Sequence, residues 1–346
     1  MMQRFIRLCL VLVLAGHGIY AQAEEAAADE LRGYVLTPPV VAAGPIVGIA
    51  MSDDGSSCVV ISGPKDPYRS IESEWQRISL PDCKVVGTGT LPFNVIAAMR
   101  CGASVLLATP NDLRIAPLDT LVPKRTVPVA NIARIYPGFT GTTAFVTLSE
   151  TRSYNPIWLA KLDERGAESW RVSASDIHDR FEKGVRGKAK DRPATFSWDG
   201  LMACGDGRTL LCGQSRLRVE GKTVSWIEIY PDVLAVYRTP DPGLMIVTSI
   251  SQGSYLASID ALGQKHTPLL GALFAGGCVD AVQPILYSFD RSSGSRVILH
   301  DSLGIARRPC RCDEVGNDVD LLPLPGGGLL ISGERAVAVL RITSWK

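Results

Sequence analysis

The stretch Leu162-Asp163-Glu164-Arg165-Gly166 ends an apolar run with an acidic residue and a small turn, after which a new strand-like run begins. The same arrangement recurs along the chain, at Leu80–Lys84, Leu118–Thr120, Val219–Lys222, Ile259–Gly263 and His300–Gly304. From Asp82 to Asp301, the successive acidic residues lie 37, 44, 57, 40 and 41 positions apart. A period near forty in a sequence of short strands is typical of a radial repeat. The spacing therefore predicts an all-β fold, a β-propeller.

Each repeat contains four strand-like runs separated by turn residues, which predicts four-stranded antiparallel blades. Seven repeats begin near Ile46, Phe93, Asn131, Ala194, Asp232, Gly276 and Asp318. The seventh has no fourth run after Val337–Ile342, whereas Gly33–Thr37 is a strand-like run without a partner in the first repeat. We therefore expect this N-terminal strand to complete the last blade and close a seven-bladed ring, which also removes an exposed sheet edge.

Two repeats depart from the pattern. The turn between the first and second strands of a repeat usually contains glycine, which tolerates a positive φ, but the sixth repeat has little glycine near Val282–Pro284. Between the third and fourth repeats, Ser175–Trp198 is an inserted loop, and the repeat resumes after it. Long loops in compact repeat proteins are either functional or disordered.

The N-terminus has the pattern of a secretory signal peptide. Arg4 and Arg7 precede the apolar run Leu8–Ala15, and Ala21-Gln22-Ala23 is a small-x-small cleavage site. We expect a signal peptide over residues 1–23, a flexible tail over 24–32 and a propeller domain over 33–346. The apolar run is shorter than the roughly 20 residues of a membrane-spanning helix. These features predict a periplasmic or secreted protein, with no membrane insertion of the mature chain.

The charge pattern argues against nucleic-acid binding. The formal net charge is +1, with both signs interspersed along the chain, whereas nucleic-acid binding needs a basic face. One basic run, Arg180–Arg192, is diluted by Glu182 and Asp191, and we interpret it as a solvated loop.

The stretch Met51-Ser52-Asp53-Asp54-Gly55-Ser56, followed by a β-strand, resembles the Ser-Pro-Asp-Gly signature of bacterial YVTN-type and related β-propeller repeats. Trp75–Thr88 resembles the outer half of such a repeat. The resemblance is close in the first repeat and extends over the rest of the chain as repeat rhythm. It implies a seven-bladed disc with a central channel. It implies no single chemistry, because the family includes binding proteins, amine dehydrogenase subunits and lactone hydrolases, and no catalytic motif matches here.

The sequence contains no motif that groups the residues needed for catalysis or metal binding. A serine-hydrolase elbow is absent from the sequence, and the neighbours His300 and Asp301 would point to opposite faces of a strand. His178, in the inserted loop, lacks further convergent groups. Asp313–Asp320 has the oxygens of a calcium loop in the wrong order. The sequence therefore predicts no catalytic residue, no metal ligand and no cofactor.

A binding surface is predicted from the topology of a blade. Loops that join second to third strands, and loops that join blades, meet on one face of the disc. Exposed aromatic and arginine side chains there are the types enriched at binding hot spots. The candidates in these loops are Tyr68, Arg69, Arg152, Tyr154, Trp198 and Arg291. For Trp198, packing between blades is an equal alternative.

The cysteines predict disulfides. Eight remain after removal of the signal peptide, and an even number in an exported chain suggests a disulfide framework. Cys58 follows the first inner turn, and Cys83 lies in the turn that ends the third strand, so a Cys58–Cys83 bridge is expected. Cys101 is a rival partner. Cys278 could also pair with one of two cysteines in the sixth repeat, Cys310 and Cys312.

The sequence thus favours an exported, non-enzymatic binding or scaffold propeller that recognises a protein or glycan partner on its loop-rich face. Two alternatives stay open. One is a lactonase-like, metal-dependent hydrolase, and the other is a non-catalytic subunit of a periplasmic redox complex.

Overall fold

The computed structural model describes most of the chain between residues 33 and 343. The described residues are 33–64, 71–80, 82–129, 131–149, 157–177, 198, 201–203, 207–212, 215–229, 233–238, 244–250, 253–259, 265–266, 269–270, 276–282, 285–290, 296–301, 307–316 and 319–343. The predicted signal peptide, residues 1–23, and the predicted tail, residues 24–32, lie outside them. No described helix is long and apolar enough to cross a membrane.

The described residues form antiparallel β-sheets with the predicted four-strand rhythm. After two N-terminal strands, β1 (Tyr34–Leu36) and β2 (Val40–Val41), the first unit contains β3 (Ile46–Met51), β4 (Ser57–Ser62), β5 (Ser73–Ser79) and β6 (Lys84–Leu91). The second unit contains β7 (Ala97–Cys101), β8 (Ser104–Ala108), β9 (Leu113–Pro117) and β10 (Arg125–Val127). The third contains β11 (Ile132–Pro137), β12 (Thr143–Leu148), β13 (Trp158–Asp163) and β14 (Glu168–Ser173).

The later units continue this order. The fourth contains β15 (Leu201–Ala203), β16 (Thr209–Cys212), β17 (Ser215–Glu220) and β18 (Thr223–Ile229). The fifth contains β19 (Val233–Arg238), β20 (Leu244–Ile250), β21 (Gly253–Ile259) and two short edge strands, β22 (Lys265–His266) and β23 (Leu269–Leu270). The sixth contains β24 (Gly276–Val279), β25 (Ile285–Asp290), β26 (Arg296–Asp301) and β27 (Arg307–Arg311). The last strands are β28 (Asp320–Pro323), β29 (Leu329–Ser332) and β30 (Ala336–Ile342).

The N-terminal strand completes the last unit, as the sequence predicted. The order of this sheet is β1-β30-β29-β28, and β1 pairs antiparallel with β30, with Tyr34 opposite Ile342 and Leu36 opposite Leu340. Strand β2 pairs further along β30. The first and last units also share one buried cluster, which includes Cys58 and Val339. Closure of all seven units into one ring stays a prediction.

The core lies between neighbouring units because second strands such as β4 and β8 are covered on both sides. Strand β4 (SCVVIS) has buried residues from Cys58 to Ser62, and β8 (SVLLA) from Val105 to Ala108. Continuous apolar runs are the pattern expected for strands that are buried on both faces. Each buried cluster therefore draws on two units, such as the cluster that joins Ala108 of the second unit to Val146 of the third.

The first two units are joined into a single eight-stranded sheet. Strands β3 and β7 pair in parallel, with Gly48 opposite Ala98. A Cβ atom on Gly48 would lie 2.1 Å from the carbonyl oxygen of Ala98. Glycine therefore permits a close backbone contact at this position that a side chain would prevent, and the contact sets the separation of the first two units.

The inserted loop begins with a short helical turn at residues 174–177. The Ser173 hydroxyl accepts the backbone N–H of Asp176 at 3.0 Å, and the Asp176 carboxylate accepts the N–H of Ser173 at 3.3 Å. This reciprocal arrangement is a capping box. Most of the insertion lies outside the described residues, but Trp198 at its end is fully buried between the third and fourth units, with Phe145 and Leu210 in the same cluster.

The predicted disulfide between Cys58 and Cys83 is not formed, although both thiols lie in the same buried cluster. Cys58 lies in β4, and Cys83 lies in the turn between β5 and β6, as the sequence predicted. The thiol of Cys83 donates to the carbonyl oxygen of Val337 in the last unit at 3.9 Å. It is therefore directed at the last unit and not at Cys58.

The rival pairings are absent from the structure as well. Cys278 and Cys310 lie in the first and fourth strands of the sixth unit, so two further strands separate them. Cys101 packs in the core between the second and third units. The cysteines in the described residues are all buried thiols: Cys58, Cys83, Cys101, Cys212, Cys278, Cys310 and Cys312. They fill the core as small apolar side chains.

We expect these seven thiols to resist a hydrophilic alkylating reagent in the folded protein near pH 8 and to react after unfolding without reductant. Burial raises the pKa of Cys58 to about 12 and those of Cys101 and Cys312 to about 11, so the reactive thiolate is scarce near pH 8. Mass spectrometry of chain alkylated in denaturant should show at least seven labels. Fewer labels, or rapid labelling of Cys58 in the folded protein, would contradict this arrangement.

Candidate functional site

A cleft opens between the first two units, at the end of the strands where the β3–β4 and β7–β8 turns lie. Its volume is about 260 Å³. We call it the inter-unit cleft. It is lined by Ala50, Ser52, Asp53, Ser57, Cys58, Val59, Arg77, Arg100, Ala103, Leu118 and Asp119. These residues come from four strands and three turns of two units. The parallel contact between β3 and β7, which joins the two units, therefore determines the width of the cleft.

The β3–β4 turn is fixed by its own side chains. The Asp54 carboxylate accepts the Ser52 hydroxyl at 2.6 Å, the Ser56 hydroxyl at 2.8 Å and the Ser56 N–H at 3.0 Å. These hydrogen bonds, led by the one from Ser52, lower the pKa of Asp54 to about 2. Gly55 has a φ of 65°, which glycine adopts without strain. The turn therefore holds the adjacent Asp53 at the mouth of the cleft.

Arg100 forms one wall of the cleft, and its donors are occupied by the protein. Its guanidinium pairs with the Asp53 carboxylate. The same group also donates to the carbonyl oxygens of Met51 and of Gly102, the latter at 2.9 Å. Because Met51 and Asp53 belong to the first unit and Arg100 to the second, this side chain joins the two units across the cleft.

Arg77 is held through only one of its three guanidinium nitrogens, so the other two can still donate hydrogen bonds to a ligand. It is half-buried in β5, and its Nη2 donates to the carbonyl oxygens of Leu118 at 2.9 Å and Asp119 at 2.8 Å. These bonds fix the guanidinium against the last turn of the second unit. In the described part of the chain, its Nε and Nη1 donate no hydrogen bond and no carboxylate forms an ion pair with it. Arg77 therefore presents a positive charge and three N–H groups to a ligand.

The rest of the cleft combines apolar walls with a partly acidic rim. Ala50, Val59 and Leu118 contribute the apolar surface. The side chain of Asp53 is 92% exposed, and Asp119 is also exposed. Since Asp53 compensates the charge of Arg100, the cationic centre left for a ligand is Arg77. The cleft therefore places one arginine without an ion-pair partner among the described residues beside a small apolar surface.

Most of the sequence-predicted binding residues lie in segments that the structure does not describe. Tyr68, Arg69, Arg152, Tyr154 and Arg291 lie outside the described residues, so the loop-rich face stays a prediction. Trp198 is fully buried in the core, which corrects its assignment to that surface and favours the packing alternative. An indole enclosed between two units is not available to a partner.

Sequence reasoning missed the inter-unit cleft because its residues belong to the repeat pattern itself. Asp53 and Asp119 lie in turns that recur with the repeat, and Arg77 lies in a strand whose pattern resembles an ordinary repeat. The cleft lies at the opposite end of the strands from the loop-rich face. The signal that could have indicated the cleft is an arginine in the third strand of a repeat, Arg77. In the fold, this arginine contacts the short turn of the following repeat at Leu118 and Asp119.

In the described residues, no group of three or more His, Cys, Asp and Glu side chains is arranged to hold a metal ion. The Asp313–Asp320 segment is described except for residues 317–318.

No protein family matches the sequence, and no curated protein matches it. In structure, the chain is similar to the WD40 domain of Neurospora crassa Pan2, with a TM-score of 0.60 and 9% identity over 91% of this chain and 97% of that chain. It is also similar to Saccharomyces cerevisiae Sqt1, with a TM-score of 0.55 and 10% identity over 88% and 97% of the two chains. A chain of Kuenenia stuttgartiensis hydrazine synthase gives a TM-score of 0.55 and 14% identity over 88% and 97%. Identities this low show the fold alone, and they show that this chain has the β-propeller fold.

Proposed function

We propose that this chain is an exported, non-enzymatic β-propeller that binds a protein partner as a scaffold or recognition module. The fold supports this role without determining it, because propellers host unrelated functions. Export rests on the N-terminal pattern of Arg4, Leu8–Ala15 and Ala21-Gln22-Ala23. The YVTN-type repeat remains part of the proposal, supported by the residues around Met51–Ser56.

The observation that carries the proposal is the state of Arg77 in the inter-unit cleft. A half-buried guanidinium is held by two backbone carbonyls and keeps uncommitted donors in a cleft with apolar walls. Arginines in such settings are enriched among the residues that contribute most to binding between proteins. The pre-fixed orientation also reduces the entropy that is lost on binding.

We expect Arg77→Gln to abolish capture of the partner. The tagged full-length chain, expressed in the organism that encodes it, would be cross-linked and purified, and its partner would be identified by mass spectrometry. The same partner, purified, should then bind the mature chain in a one-to-one complex by analytical ultracentrifugation. Arg125→Gln, which changes an exposed arginine in β10, is the matched control and should capture the partner as well as the wild type does.

Two results would contradict the proposal. One is the absence of any protein enriched over a tag-only sample. The other is equal capture by the Arg77→Gln and Arg125→Gln variants. The mass of the purified chain tests export at the same time, because signal cleavage would leave Glu24 at the N-terminus.

A further inference from the structure

The pairing of charges in the inter-unit cleft indicates the chemistry of its ligand. Arg100 is paired with Asp53 across the cleft, whereas Arg77 has no carboxylate partner in the described part of the chain. The group that complements Arg77 must therefore be an anion or a strong hydrogen-bond acceptor. Guanidinium groups form their stronger hydrogen bonds with ionised acceptors.

The acidic rim selects among anions. Asp53 and Asp119 line the same cleft as Arg77, and each would repel an incoming negative charge. A phosphate carries up to two charges near neutral pH and a carboxylate carries one, so repulsion from the rim penalises phosphate more. A singly charged carboxylate thus fits this site better than a phosphate does.

The size of the cleft limits how much of a ligand enters. At about 260 Å³, it is smaller than the roughly 300 Å³ at the low end of pockets for drug-sized molecules. It accommodates one charged group and a short apolar portion against Ala50, Val59 and Leu118. This is the size of a chain end or a single side chain, and it argues against a whole cofactor.

We propose that the inter-unit cleft binds a single carboxylate of a peptide, with Arg77 as the residue that contacts it. This inference rests on the proposed function and names the group of the partner that is recognised. The carboxylate accepts from Nη1 or Nε of Arg77, because Nη2 is occupied by Leu118 and Asp119. The apolar part of the same residue packs against the aliphatic wall. The source is either a C-terminal carboxylate or the side chain of an acidic residue.

Short peptides separate these two sources. Ligand-observed NMR would compare two pairs of peptides. The first pair, acetyl-Ala-Ala-Ala with a free C-terminus and its C-terminal amide, tests a terminal carboxylate. The second pair, acetyl-Ala-Glu-Ala amide and acetyl-Ala-Gln-Ala amide, tests a side-chain carboxylate. We expect at least one carboxylate peptide to bind about tenfold more tightly than its neutral counterpart, the change expected for one charge-assisted hydrogen bond. The pair that shows the difference identifies the source.

Variants of Arg77 test whether this residue causes the difference in affinity between acidic and neutral peptides. Arg77→Gln should remove the difference between the acidic and neutral peptides, and Arg77→Lys, which keeps the charge, should retain part of it. Arg125→Gln should behave as the wild type does. Each variant is first compared with the wild type by thermal unfolding, and the Lys variant keeps the test informative if the Gln variant does not fold. Acetate should compete with the bound peptide more strongly than inorganic phosphate at equal concentration.

The inference is overturned if acidic and neutral peptides bind alike, if Arg77→Gln leaves the difference unchanged, or if phosphate competes as well as acetate. These outcomes are distinct from failure of the proposed function. Partner capture that depends on Arg77 but not on any carboxylate would overturn this inference alone. Carboxylate binding without a captured protein would overturn the proposed function alone.

Discussion

Deletion of residues 24–40 is expected to lower the midpoint of thermal unfolding by about 10 °C or more, or to prevent folding. The deletion removes all of β1, which pairs with β30 along Tyr34, Val35 and Leu36. Tyr34 is only 2% exposed, and its hydroxyl donates to the carbonyl oxygen of Pro309 in the sixth unit at 2.7 Å. Loss of an aromatic side chain from a core costs about 3–5 kcal/mol by itself. The exposed edge of β30 would in addition favour association between chains.

Deletion of residues 24–32 alone is the matched control, because β1 begins after this segment. We expect its unfolding midpoint to match that of the mature chain. Differential scanning calorimetry of the two truncated proteins measures the difference, and light scattering reports association. The substitution Tyr34→Ala provides a second measurement if the longer deletion gives no soluble protein. An unchanged midpoint after loss of residues 24–40 would show that the β1–β30 pairing does not contribute to stability.

The strand architecture could be predicted from the sequence because turn chemistry and strand periodicity repeat along the chain. The acidic turns at Asp163 and Glu220 lie where strands end in the structure. The partner of the N-terminal strand followed from counting, since the last repeat lacked a strand and Gly33–Thr37 had no place in the first. The structure confirms this pairing. Turn and strand signals of this kind can be recognised in the sequence because each depends on only a few consecutive residues.

The disulfide prediction was wrong because it depended on the direction of two side chains, which the local pattern does not determine. Cys83 lies in the turn that ends the third strand, as the sequence predicted, but its thiol donates to the carbonyl oxygen of Val337 in the last unit. The sequence pattern gave no warning, because cysteine suits a buried position whether or not it forms a bridge.

The candidate site could not be predicted because it lies between repeats. Arg77 meets its carbonyl partners in the second unit 41 and 42 positions later in the chain, and Arg100 meets Asp53 47 positions earlier. Such contacts depend on how the two units pack against each other, and no local motif determines that packing. Blade topology and residue type predicted a loop-rich binding face instead, and its one described candidate, Trp198, is a core residue.

The sixth repeat shows how a missing glycine is replaced. Its inner turn, which lacks glycine in the sequence, is held by Asp280, whose carboxylate accepts the N–H of Val282 at 2.8 Å. A carboxylate that accepts a hydrogen bond from the backbone two residues later stabilises a turn. Asp280 can therefore take the place of a glycine at this turn. The same carboxylate accepts the hydroxyl of Tyr287 at 2.6 Å and the N–H of Gly328 in the last unit at 2.7 Å. Asp280 therefore holds its own turn and links two units.

Asp280→Ala is expected to lower the free energy of unfolding by about 3–5 kcal/mol. With the deletion of residues 24–40, it is one of the two largest stability changes that we expect. Asp280 is 2% exposed, so its removal leaves the hydroxyl of Tyr287 and the N–H of Gly328 as buried donors that have lost their acceptor. Burial, followed by the hydrogen bond to Asp280, raises the pKa of Tyr287, so the phenol remains a protonated donor at neutral pH. Urea unfolding followed by tryptophan fluorescence measures the loss. Asp82→Ala, at an exposed turn position, should change stability by less than about 0.5 kcal/mol.

A double substitution distinguishes the lost acceptor from a general disturbance of the turn. Tyr287→Phe alone should cost about 1–2 kcal/mol, since it removes one hydrogen bond to a charged group. In the Asp280→Ala background, the same change removes the donor that Asp280→Ala has left unsatisfied, so its additional cost should fall close to zero. The two residues are in contact, and their effects should therefore be non-additive by about 1 kcal/mol or more. Additive losses would show that the Tyr287–Asp280 bond does not stabilise the sixth unit, and that the cost of Asp280→Ala arises from the backbone links to Val282 and Gly328.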